Sequence, residues 1–245
     1  MLTQSERIRY NRQLKILDFG EQGQKKLKNS HVMIVGIGGL GCASATYLTA
    51  AGVGRITFVD SDLVELSNLN RQILYREEDL GEKRVFIAQR KLSELNPGVK
   101  IIPLFAKITE ENVFRIVHGA QIVVDGLDNF ASRLSVNSAC VKHGIPYIHG
   151  SVSRFMGLMT KIIPGKIPCL ACVYPEGSPG GEALGVLGAI PGLIANLQVL
   201  EAIKIIIGHG PSFAGKLLRF NGNDMKFQID DIKRNQSCKV CSIEC

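Results

Sequence analysis

The feature that most constrains the fold of this chain is a glycine cluster between two apolar segments. The cluster comprises Gly36, Gly38, Gly39 and Gly41. The segment before it, His31–Val35, has the length and composition of a buried strand, and residues 40–51 are mostly small and apolar without a helix breaker. Glycines between a strand and a helix allow a tight turn and let backbone N–H groups approach a phosphate. The pattern therefore predicts a strand, a phosphate-binding loop and a helix.

A second strand and an acidic residue follow this helix. Residues 55–59 form another short apolar run, and Asp60 comes directly after it. An acid at the end of the second strand of such a unit is placed to accept hydrogen bonds from ribose hydroxyls. The complete series favours a nucleotide site over the alternative that the glycines serve only close helix packing. The motif does not separate NAD from ATP.

Helix and strand signals keep alternating after this unit. The spacing predicts helices over residues 83–95, 110–117 and 132–142, and strands over residues 100–105, 121–124 and 146–148. In the last third, strands over residues 158–163 and 216–220 flank a long helix over residues 194–207. Alternation of this kind is typical of a doubly wound sheet with helices on both faces. We therefore predict an α/β, Rossmann-like fold, mainly parallel, with antiparallel strands in the C-terminal third.

The length of 245 residues, with 45% hydrophobic and 21% charged residues, fits one globular domain. Residues 3–29 look helical and precede the first strand. We divide this single domain, residues 1–245, into an N-terminal helical arm over residues 1–30, a nucleotide-binding half over residues 31–150 and a second half over residues 151–245.

Charge and targeting signals limit the partners and the location. The formal net charge of +7 suits phosphate-rich or acidic partners. Lys25, Lys26 and Lys28 form a basic run without interleaved aromatics, which indicates a solvated helix face and no nucleic-acid site. The charged N-terminus does not resemble a signal peptide, and residues 183–195 contain Gly and Pro and are too short to span a membrane. We expect a cytoplasmic protein without a membrane partner.

Polar and cationic residues follow the second strand. Asn68, Arg71 and Gln72 belong to the sequence SNLNRQ, and Lys83 and Arg84 come after Gly81. A dehydrogenase leaves the nicotinamide end of its cleft largely uncharged, whereas cations at this place suit a triphosphate. The pattern therefore favours ATP over NAD, with a solvated surface charge as the alternative for Arg71.

Two aspartates end a later strand. Asp125 and Asp128 belong to the sequence VVDGLDN, at the carboxyl edge where open α/β sheets bind ligands. Because Mg²⁺ prefers one or two carboxylates together with phosphate oxygens, Asp128 is a candidate magnesium ligand. The alternative is that Asp128 is the N-cap of the next helix.

Four of the seven cysteines form two CxxC pairs, Cys169 with Cys172 and Cys238 with Cys241. Two such pairs can bind one tetrahedral Zn²⁺ if the fold brings them together, and a closed four-cysteine site would hold the C-terminal tail on the domain. Redox thiols are the alternative function of the pairs. Cys245 is an alternative ligand, whereas Cys42 and Cys140 are expected to be small buried side chains.

Four motifs together resemble the MoeB/ThiF family (also written HesA/MoeB/ThiF), bacterial relatives of ubiquitin-activating enzymes. The motifs are RYNRQ near the start, GIGGLG, VDSDLVELSNLNRQ and VVDGLDN, in that order. The resemblance extends over almost the whole chain. It implies an adenylyltransferase that uses MgATP to adenylate the C-terminal glycine of a small ubiquitin-like sulfur carrier ending in Gly-Gly, releasing pyrophosphate. It also implies a structural zinc site.

The resemblance implies a role for each matching residue. Asp60 would hold the ribose, Asn68 and Arg71 the phosphates, and Asp128 the Mg²⁺. Arg12 of RYNRQ would reach into the site of the partner subunit, which implies a homodimer. Arg71, Asp128, Arg12 and a cation after Gly81 would then form the catalytic set.

The chain departs from the family pattern at this last cation. The family has a phosphate-binding lysine three residues after a glycine, and here that place is Arg84, with Lys83 next to it. A guanidinium is a planar fork and an ammonium a compact point charge, so the two are not equivalent ligands. Spacing favours Arg84, and Lys83 is the alternative.

A second departure concerns covalent chemistry. Several family members carry a reactive cysteine between the first CxxC pair and the long C-terminal helix, but residues 174–192 of this chain contain none. The Gly and Pro content of this segment suits a crossover loop over a flexible carrier tail. We therefore predict that the enzyme stops at the acyl-adenylate and passes it to a separate sulfur donor.

Other functions stay open at this point. The glycine motif and Asp60 alone would also suit an NAD-dependent oxidoreductase, and a zinc-bearing scaffold could hold a nucleotide without turnover. The carrier itself is not identified by the sequence. Molybdopterin synthesis, thiazole (thiamine) synthesis, another thiolation and a conjugation pathway are all compatible with it.

Overall fold

The computed structural model describes residues 1–174, 185–210 and 213–242. Its strands form one sheet of eight strands in the order β3-β2-β1-β4-β5-β6-β7-β8. The strands are β1 (His31–Val35), β2 (Arg55–Asp60), β3 (Lys100–Phe105), β4 (Ile122–Asp125), β5 (Tyr147–Ser153), β6 (Met156–Ile162), β7 (Lys216–Asn221) and β8 (Lys226–Asp231). Segment 175–184 of the expected crossover loop lies outside the described residues, as does Cys245.

The helices alternate with the first five strands, as the sequence predicts. They are α1 (Gln4–Arg9), α2 (Asn11–Leu14), α3 (Gly20–Lys28), α4 (Gly39–Ala51), α5 (Arg84–Leu95), α6 (Val113–Val117), α7 (Phe130–His143), α8 (Leu170–Val173) and α9 (Ala189–Ile207). Two short 3₁₀ turns, Leu66–Asn68 and Glu77–Asp79, lie in the connection between β2 and α5.

The sheet confirms the expected fold class. Strands β1 to β5 are parallel to one another, whereas β6, β7 and β8 pair antiparallel. The chain leaves β3 at one edge and returns beside β1 as β4, so the strand order reverses between β1 and β4. In open α/β sheets, ligands bind outside the carboxyl ends of the strands at such a reversal. β8 is an addition to the expected strands.

Each face of the sheet is covered by its own apolar core. On one face, helices α4, α5 and α9 pack on side chains such as Ile34, Phe58 and Ile148. On the other face, α6 and α7 pack on side chains such as Val35, Val123 and Tyr147. Neighbouring residues of one strand contribute to opposite cores, which is the alternation expected of a strand buried on both sides.

Helix α9 is long and apolar enough to cross a membrane by length and composition, and half of its most apolar window is buried inside the fold. It contacts α4, β5 and β6. Two polar side chains, Gln198 and Glu201, are buried on it. Glu201 accepts hydrogen bonds from Lys161 at 2.7 Å and from Lys204 at 2.6 Å, so its charge is paired. In this structure α9 is a core helix.

The N-terminal arm is helical, as expected for residues 3–29, and is divided into three short helices. Thr3 and Glu6 form a capping box that starts α1. Tyr10 leaves the helical conformation at the end of α1, and Gly20 begins α3 with a φ of +47°. These interruptions let the arm fold back onto the body, since Tyr10 and Phe19 are both buried.

Candidate nucleotide site and cysteine cluster

The glycine loop is built by close contact between two backbone segments. Gly36 has a φ of +87°, and a Cβ there would lie 2.6 Å from the carbonyl oxygen of Gly126. A Cβ on Gly41 would overlap the carbonyl oxygen of Gly36. Both positions therefore require glycine. The N-terminus of α4 meets the ends of β1 and β4 at this point, where an anion can approach backbone N–H groups.

Asp60 lies beside this loop in a largely buried position. Its carboxylate accepts hydrogen bonds from the backbone N–H of Ile37 at 2.9 Å and of Asp62 at 2.8 Å. Burial nevertheless raises the pKa of Asp60 above its ordinary value, because removal from water disfavours the charged form. The carboxylate is thus fixed at the end of β2, next to the loop.

Arg84 is buried and bonded within the protein. Its Nη1 donates to Asp62 at 2.8 Å and its Nη2 donates to the side-chain oxygen of Asn68 at 2.7 Å. Nη1 also lies 3.9 Å from a carboxylate oxygen of Asp60. The guanidinium thus joins Asp60 and Asn68 into one network, although these partners occupy much of its donor capacity.

Lys83 has different surroundings. It is exposed, and its Nζ lies 4.4 Å from the ring centroid of Phe105 and 5.9 Å from that of Phe86. Phe105 pairs with Asp60 across the sheet. Lys83 therefore lies at the exposed rim of the ends of β2 and β3, whereas the neighbouring Arg84 is buried.

Arg71 and Gln72 follow the 3₁₀ turn that carries Asn68. Arg71 is half-buried, donates to the carbonyl of Ser67 at 2.9 Å, and would touch a Cβ on Gly39. Gln72 is buried near Gly38, and its Oε1 has no hydrogen-bond partner among the described residues. Both side chains lie against the glycine loop, so the structure brings them together as the sequence predicts.

Asp128 is exposed at the carboxyl end of β4. The N-cap of α7 is Asn129, whose side-chain oxygen accepts the N–H of Ser132 at 2.9 Å. The alternative that Asp128 caps this helix is therefore wrong. Asp128 receives a long hydrogen bond of 3.4 Å from Asn129 and leaves most of its acceptor capacity open to solvent.

Asp125, in contrast, is committed to buried partners. It accepts hydrogen bonds from Arg133 at 3.1 Å and from His149 at 2.6 Å. Burial alone would raise the pKa of Asp125, but the charge of Arg133 and the His149 bond hold it below its ordinary value. Arg133 and His149 carry no signal in the sequence that marks them as partners of Asp125, because only the fold brings them to this strand end.

The four cysteines of the two CxxC pairs converge. Their Sγ atoms all lie within 4.8 Å of one another, with 3.7 Å between Cys169 and Cys238 and 3.4 Å between Cys172 and Cys241. Tetrahedral Zn–S bonds of about 2.3 Å require Sγ atoms about 3.8 Å apart, so the cluster fits such a metal. Burial alone would raise the pKa of the Cys238 thiol. Hydrogen bonds from the backbone N–H groups of Cys241 and Val240 together have the larger, opposite effect and lower that pKa to about 7.

The remaining described cysteines are buried, as expected. Cys42 lies under the glycine loop, and burial raises its pKa to about 12. Burial also raises the pKa of Cys140. Neither thiol is a ready nucleophile at neutral pH.

Arg12 is a predicted nucleotide-site residue that lies away from the glycine loop of its own chain. It lies exposed on α2, next to Gln13, which donates to the carbonyl of Ala51 at 3.1 Å. Tyr10 accepts a hydrogen bond from Asn96 at 2.9 Å. These anchors are at the C-terminal ends of α4 and α5. The glycine loop is at the other end of α4, about 20 Å away for a helix of this length.

The fold and the site define a Rossmann-type nucleotide-binding enzyme with a cysteine cluster that can hold a metal. The chain belongs to the ThiF family, whose model matches residues 10–240. It is an adenylyltransferase, which confirms the family resemblance read from the motifs and sets aside the oxidoreductase alternative.

Relatives of known name support this assignment. A sulfur carrier protein adenylyltransferase of Thermus thermophilus is 38% identical over 99% of this chain and 93% of its own length. The SAMP-activating enzyme E1 of Haloferax volcanii is 37% identical over 95% of this chain and 88% of its own length. The adenylyltransferase and sulfurtransferase MOCS3 of Drosophila yakuba is 43% identical over 99% of this chain, which spans 55% of that relative.

Solved structures of Escherichia coli MccB share the fold. MccB with MccA-N7isoASN has a TM-score of 0.83 and 26% identity over 90% of this chain and 69% of its own. MccB with ATP has a TM-score of 0.80 at the same identity and coverage.

Proposed function

We propose that this enzyme uses MgATP to adenylate the C-terminal glycine of a small ubiquitin-like sulfur carrier and releases pyrophosphate. One observation carries the proposal: the glycine loop, the carboxylate of Asp60, the cations near it and the exposed carboxylate of Asp128 share one edge of the sheet. The names of the relatives from Thermus and Haloferax support a protein carrier, and MccB has been solved with ATP.

Each site residue then has a role in binding ATP. Asp60 accepts hydrogen bonds from the ribose, and the loop of Gly36, Gly38, Gly39 and Gly41 presents backbone N–H groups to the phosphates. Arg71, Asn68 and Gln72 bind phosphate oxygens. Lys83 reaches them from the rim, and Arg84 positions Asp60 and Asn68 from below and adds its charge. The different burial of the two cations supports this division.

The reaction needs little from a protein base, because the carrier's carboxylate is already ionised at neutral pH. Its oxygen forms a bond to the α-phosphorus, and the bond from that phosphorus to the bridging oxygen breaks, so pyrophosphate leaves with the electron pair. Arg71 and the neighbouring cations neutralise the charge that develops on it. Catalysis is then mainly positioning and electrostatic stabilisation.

Asp128 fits a magnesium ligand, because its carboxylate is exposed at the ligand edge and is not needed as a helix cap. Bound Mg²⁺ would neutralise phosphate charge in the ground state and on the leaving group. Asp128 would supply one carboxylate, with a single negative charge, as a ligand of that Mg²⁺.

Arg12 acts in the site of a partner subunit, in a homodimer. The anchors of α2 support this role, since they hold Arg12 at the end of α4 that is far from the glycine loop. An arginine side chain spans only about 7 Å, less than the length of that helix. Within one chain, Arg12 would not reach the glycine loop.

The cysteine cluster binds one Zn²⁺ through Cys169, Cys172, Cys238 and Cys241. Four thiolates complete a tetrahedral shell and leave no open position, so the metal has a structural role. It joins the tail after β8 to α8, which supports one domain over residues 1–245. In this division, residues 151–245 form the carrier-binding and zinc half.

The carrier docks on this second half. β8 is the last strand of the sheet, and it exposes Phe227 and Ile229. An exposed strand edge with apolar side chains suits addition of a strand from a small β-rich protein. The C-terminal tail of the carrier would then run from β8 across the carboxyl ends of the strands toward Asp128.

The product passes to a separate sulfur donor in the cytoplasm. Cys42 and Cys140 are buried thiols of raised pKa, and residues 174–192 contain no cysteine. The MOCS3 relative, named as a sulfurtransferase as well, is almost twice as long as the matched region. The additional length of that relative is consistent with a second, separate step.

The direct test is ATP–pyrophosphate exchange with small ubiquitin-like proteins that end in Gly-Gly. We expect exchange to require Mg²⁺ and the carrier, and to disappear with the same carrier lacking its last glycine. Non-reducing gels of these mixtures should show no thiol-sensitive adduct of enzyme and carrier. Exchange that is equal with the truncated carrier, or NADH binding without any exchange, would overturn the proposed function.

A further inference from the structure

Strands β4 and β5 separate at the point where the candidate magnesium loop begins. They pair through only two residue pairs, Val123 with Tyr147 and Val124 with Ile148. Beyond them β5 continues beside β6 as far as Ser153, whereas the chain after Asp125 turns away toward Asp128. The backbone carbonyls at this split have lost their partners in the β4–β5 ladder. A polar group buried without a partner is costly, so side chains must replace the ladder.

Gln198 bridges the split from the α9 face of the sheet. Its Nε2 donates to the carbonyl of Asp125 at 2.9 Å and to the carbonyl of Ile148 at 3.0 Å. The side chain is fully buried, and a Cβ on Gly150 would lie 2.7 Å from its amide. One amide group therefore joins the last residue of β4 to β5 where backbone pairing stops.

Arg133 bridges the same split from the α7 face. Its Nη2 donates to the carbonyl of Leu127, inside the loop, and to the carbonyl of Gly150 on β5 at 3.1 Å. Its Nε donates to the carboxylate of Asp125 at 3.1 Å. Only about a tenth of the side chain is exposed. The guanidinium fork thus binds the loop at two places and β5 at a third.

We infer that Arg133 and Gln198 are positioning residues, which hold the loop over residues 125–128 by bridging the split between β4 and β5 from opposite faces. The inference rests on the proposed function for what the loop does, since Asp128 is the loop's outermost carboxylate. The hydrogen bonds of both side chains go to protein groups of the loop and of β5. They fix the backbone from which Asp128 reaches the ligand.

The bridging has a geometric consequence for catalysis. Asp128 is exposed and has only its neighbour Asn129 as a hydrogen-bond partner among the described residues, so its position depends on the backbone before it. Without Arg133 or Gln198, that backbone loses its hydrogen bonds to β5, whereas Gly126 still packs on the glycine loop and still donates to the carbonyl of Val35. The glycine loop and Asp60, whose own hydrogen bonds are unchanged, stay in place. We therefore expect a loss in kcat, on the order of 10²-fold for a misplacement of about 1 Å, with little change in KM for ATP.

The experiment combines amide hydrogen exchange with kinetics on the full-length protein. In Arg133→Ala and in Gln198→Leu, we expect amides of residues 126–128 to exchange roughly tenfold faster. Local opening of the loop then no longer has to break the hydrogen bonds of the missing side chain. The glycine loop should keep its protection. Arg133→Lys retains one charged donor and should recover part of the protection and part of kcat. Val136→Ala is the matched control, since it removes buried contacts from α7 one turn away from the split.

Two results would overturn the inference. One is loop exchange that is no faster in Arg133→Ala and Gln198→Leu than in Val136→Ala at an equal loss of melting temperature. The other is faster loop exchange with unchanged kcat, which would leave the bridges without a part in catalysis. If the wild type shows no carrier-dependent exchange of pyrophosphate, the proposed function fails instead, and hydrogen exchange still decides whether these side chains hold the loop.

Discussion

At the scale of single residues, three carboxylates near the strand ends have three different environments. Asp60 is largely buried and accepts backbone N–H groups, Asp125 is buried against Arg133 and His149, and Asp128 is exposed. A carboxylate that is already paired cannot easily give its oxygens to a new ligand. These environments support the proposed roles: hydrogen bonding to the nucleotide for Asp60, a structural role for Asp125 and cation binding for Asp128.

We predict that Asp128→Asn and Asp128→Ala both lower carrier-dependent ATP–pyrophosphate exchange on the order of 10²-fold or more, because each removes the charge that would hold Mg²⁺. The melting temperature should stay within about a degree of wild type, since an exposed side chain with one long hydrogen bond contributes little. Asp18→Ala, at an exposed acid on the arm, is the control. Near-normal exchange in Asp128→Asn would refute the magnesium role.

The buried His149 predicts how stability depends on pH. Burial lowers the pKa of His149 below its ordinary value of 6.5, although its bond to Asp125 opposes the shift. In the unfolded chain the imidazole takes up a proton as the pH falls through about 6.5, whereas in the folded chain it stays neutral. The unfolded state therefore binds more protons, and the stability present above pH 6.5 is lost as the pH falls toward the lowered pKa.

We predict that His149→Gln flattens the dependence of the unfolding free energy on pH between about pH 7 and pH 5. The variant will be less stable than wild type at neutral pH, so the slope is the readout. Denaturant unfolding at several pH values measures it. His209→Gln, at an exposed position, is the control and should keep the wild-type slope. An unchanged slope in His149→Gln would contradict the assignment.

At the scale of helices and strands, regular patterns made most of the fold predictable. β1 and β3 have the expected bounds, and α4 and α5 differ from expectation by one residue at the N-terminus. β8 was missed because it is an edge strand whose residues are mostly exposed, so it lacks an apolar run. The bridges of Arg133 and Gln198 could not be predicted, since their partners are up to 73 residues away in sequence.

The cysteine cluster connects α8 with the segment that follows β8. Cys169 is the N-cap of α8 and Cys172 lies within that helix. Cys238 and Cys241 follow β8, in a segment with little regular structure. Asn137 of α7 accepts the N–H of Leu170 at 2.9 Å, so the first pair is also supported by the body of the fold. Under the proposed function, the second pair would depend more on the bound metal than the first pair.

We predict one zinc per chain, and that its removal by a chelator loosens residues 232–242 before the sheet unfolds. Thiolate ligation links metal affinity to folding, so the melting temperature should fall as zinc is lost. Metal analysis and hydrogen exchange measure the two effects. Cys238→Ser should reproduce the chelator's effect, and Cys42→Ser, at a cysteine outside the cluster, should retain zinc. Well below one zinc per chain in carefully purified protein would contradict the prediction.

At the scale of the whole molecule, the sheet separates the ligand edge from the N-terminal arm. The glycine loop, Asp60 and Asp128 follow the carboxyl ends of the strands, whereas Gln13 and Tyr10 bind near the opposite ends of α4 and α5. The separation follows from the βαβ connection, because a helix that returns to start the next strand ends at the far edge. Under the proposed function, Arg12 can therefore serve a nucleotide site only across a subunit interface.

We predict that chains carrying Arg12→Ala and chains carrying Arg71→Ala, each inactive alone, regain activity when mixed. In a mixed dimer, one site combines the intact Arg71 of one chain with the intact Arg12 of the other, and the second site has neither. Random mixing makes half of the dimers mixed, so ATP–pyrophosphate exchange should reach about a quarter of the wild-type rate.

The control that separates the two geometries mixes wild type with the double variant carrying both substitutions in one chain. If Arg12 serves the partner's site, a mixed dimer of this kind has no complete site, and only wild-type dimers remain, at about a quarter of the wild-type rate. If Arg12 serves its own chain, every wild-type chain stays active and the rate is about half, while the two single variants do not complement each other. Subunit exchange, verified by mass under native conditions, makes either outcome decisive.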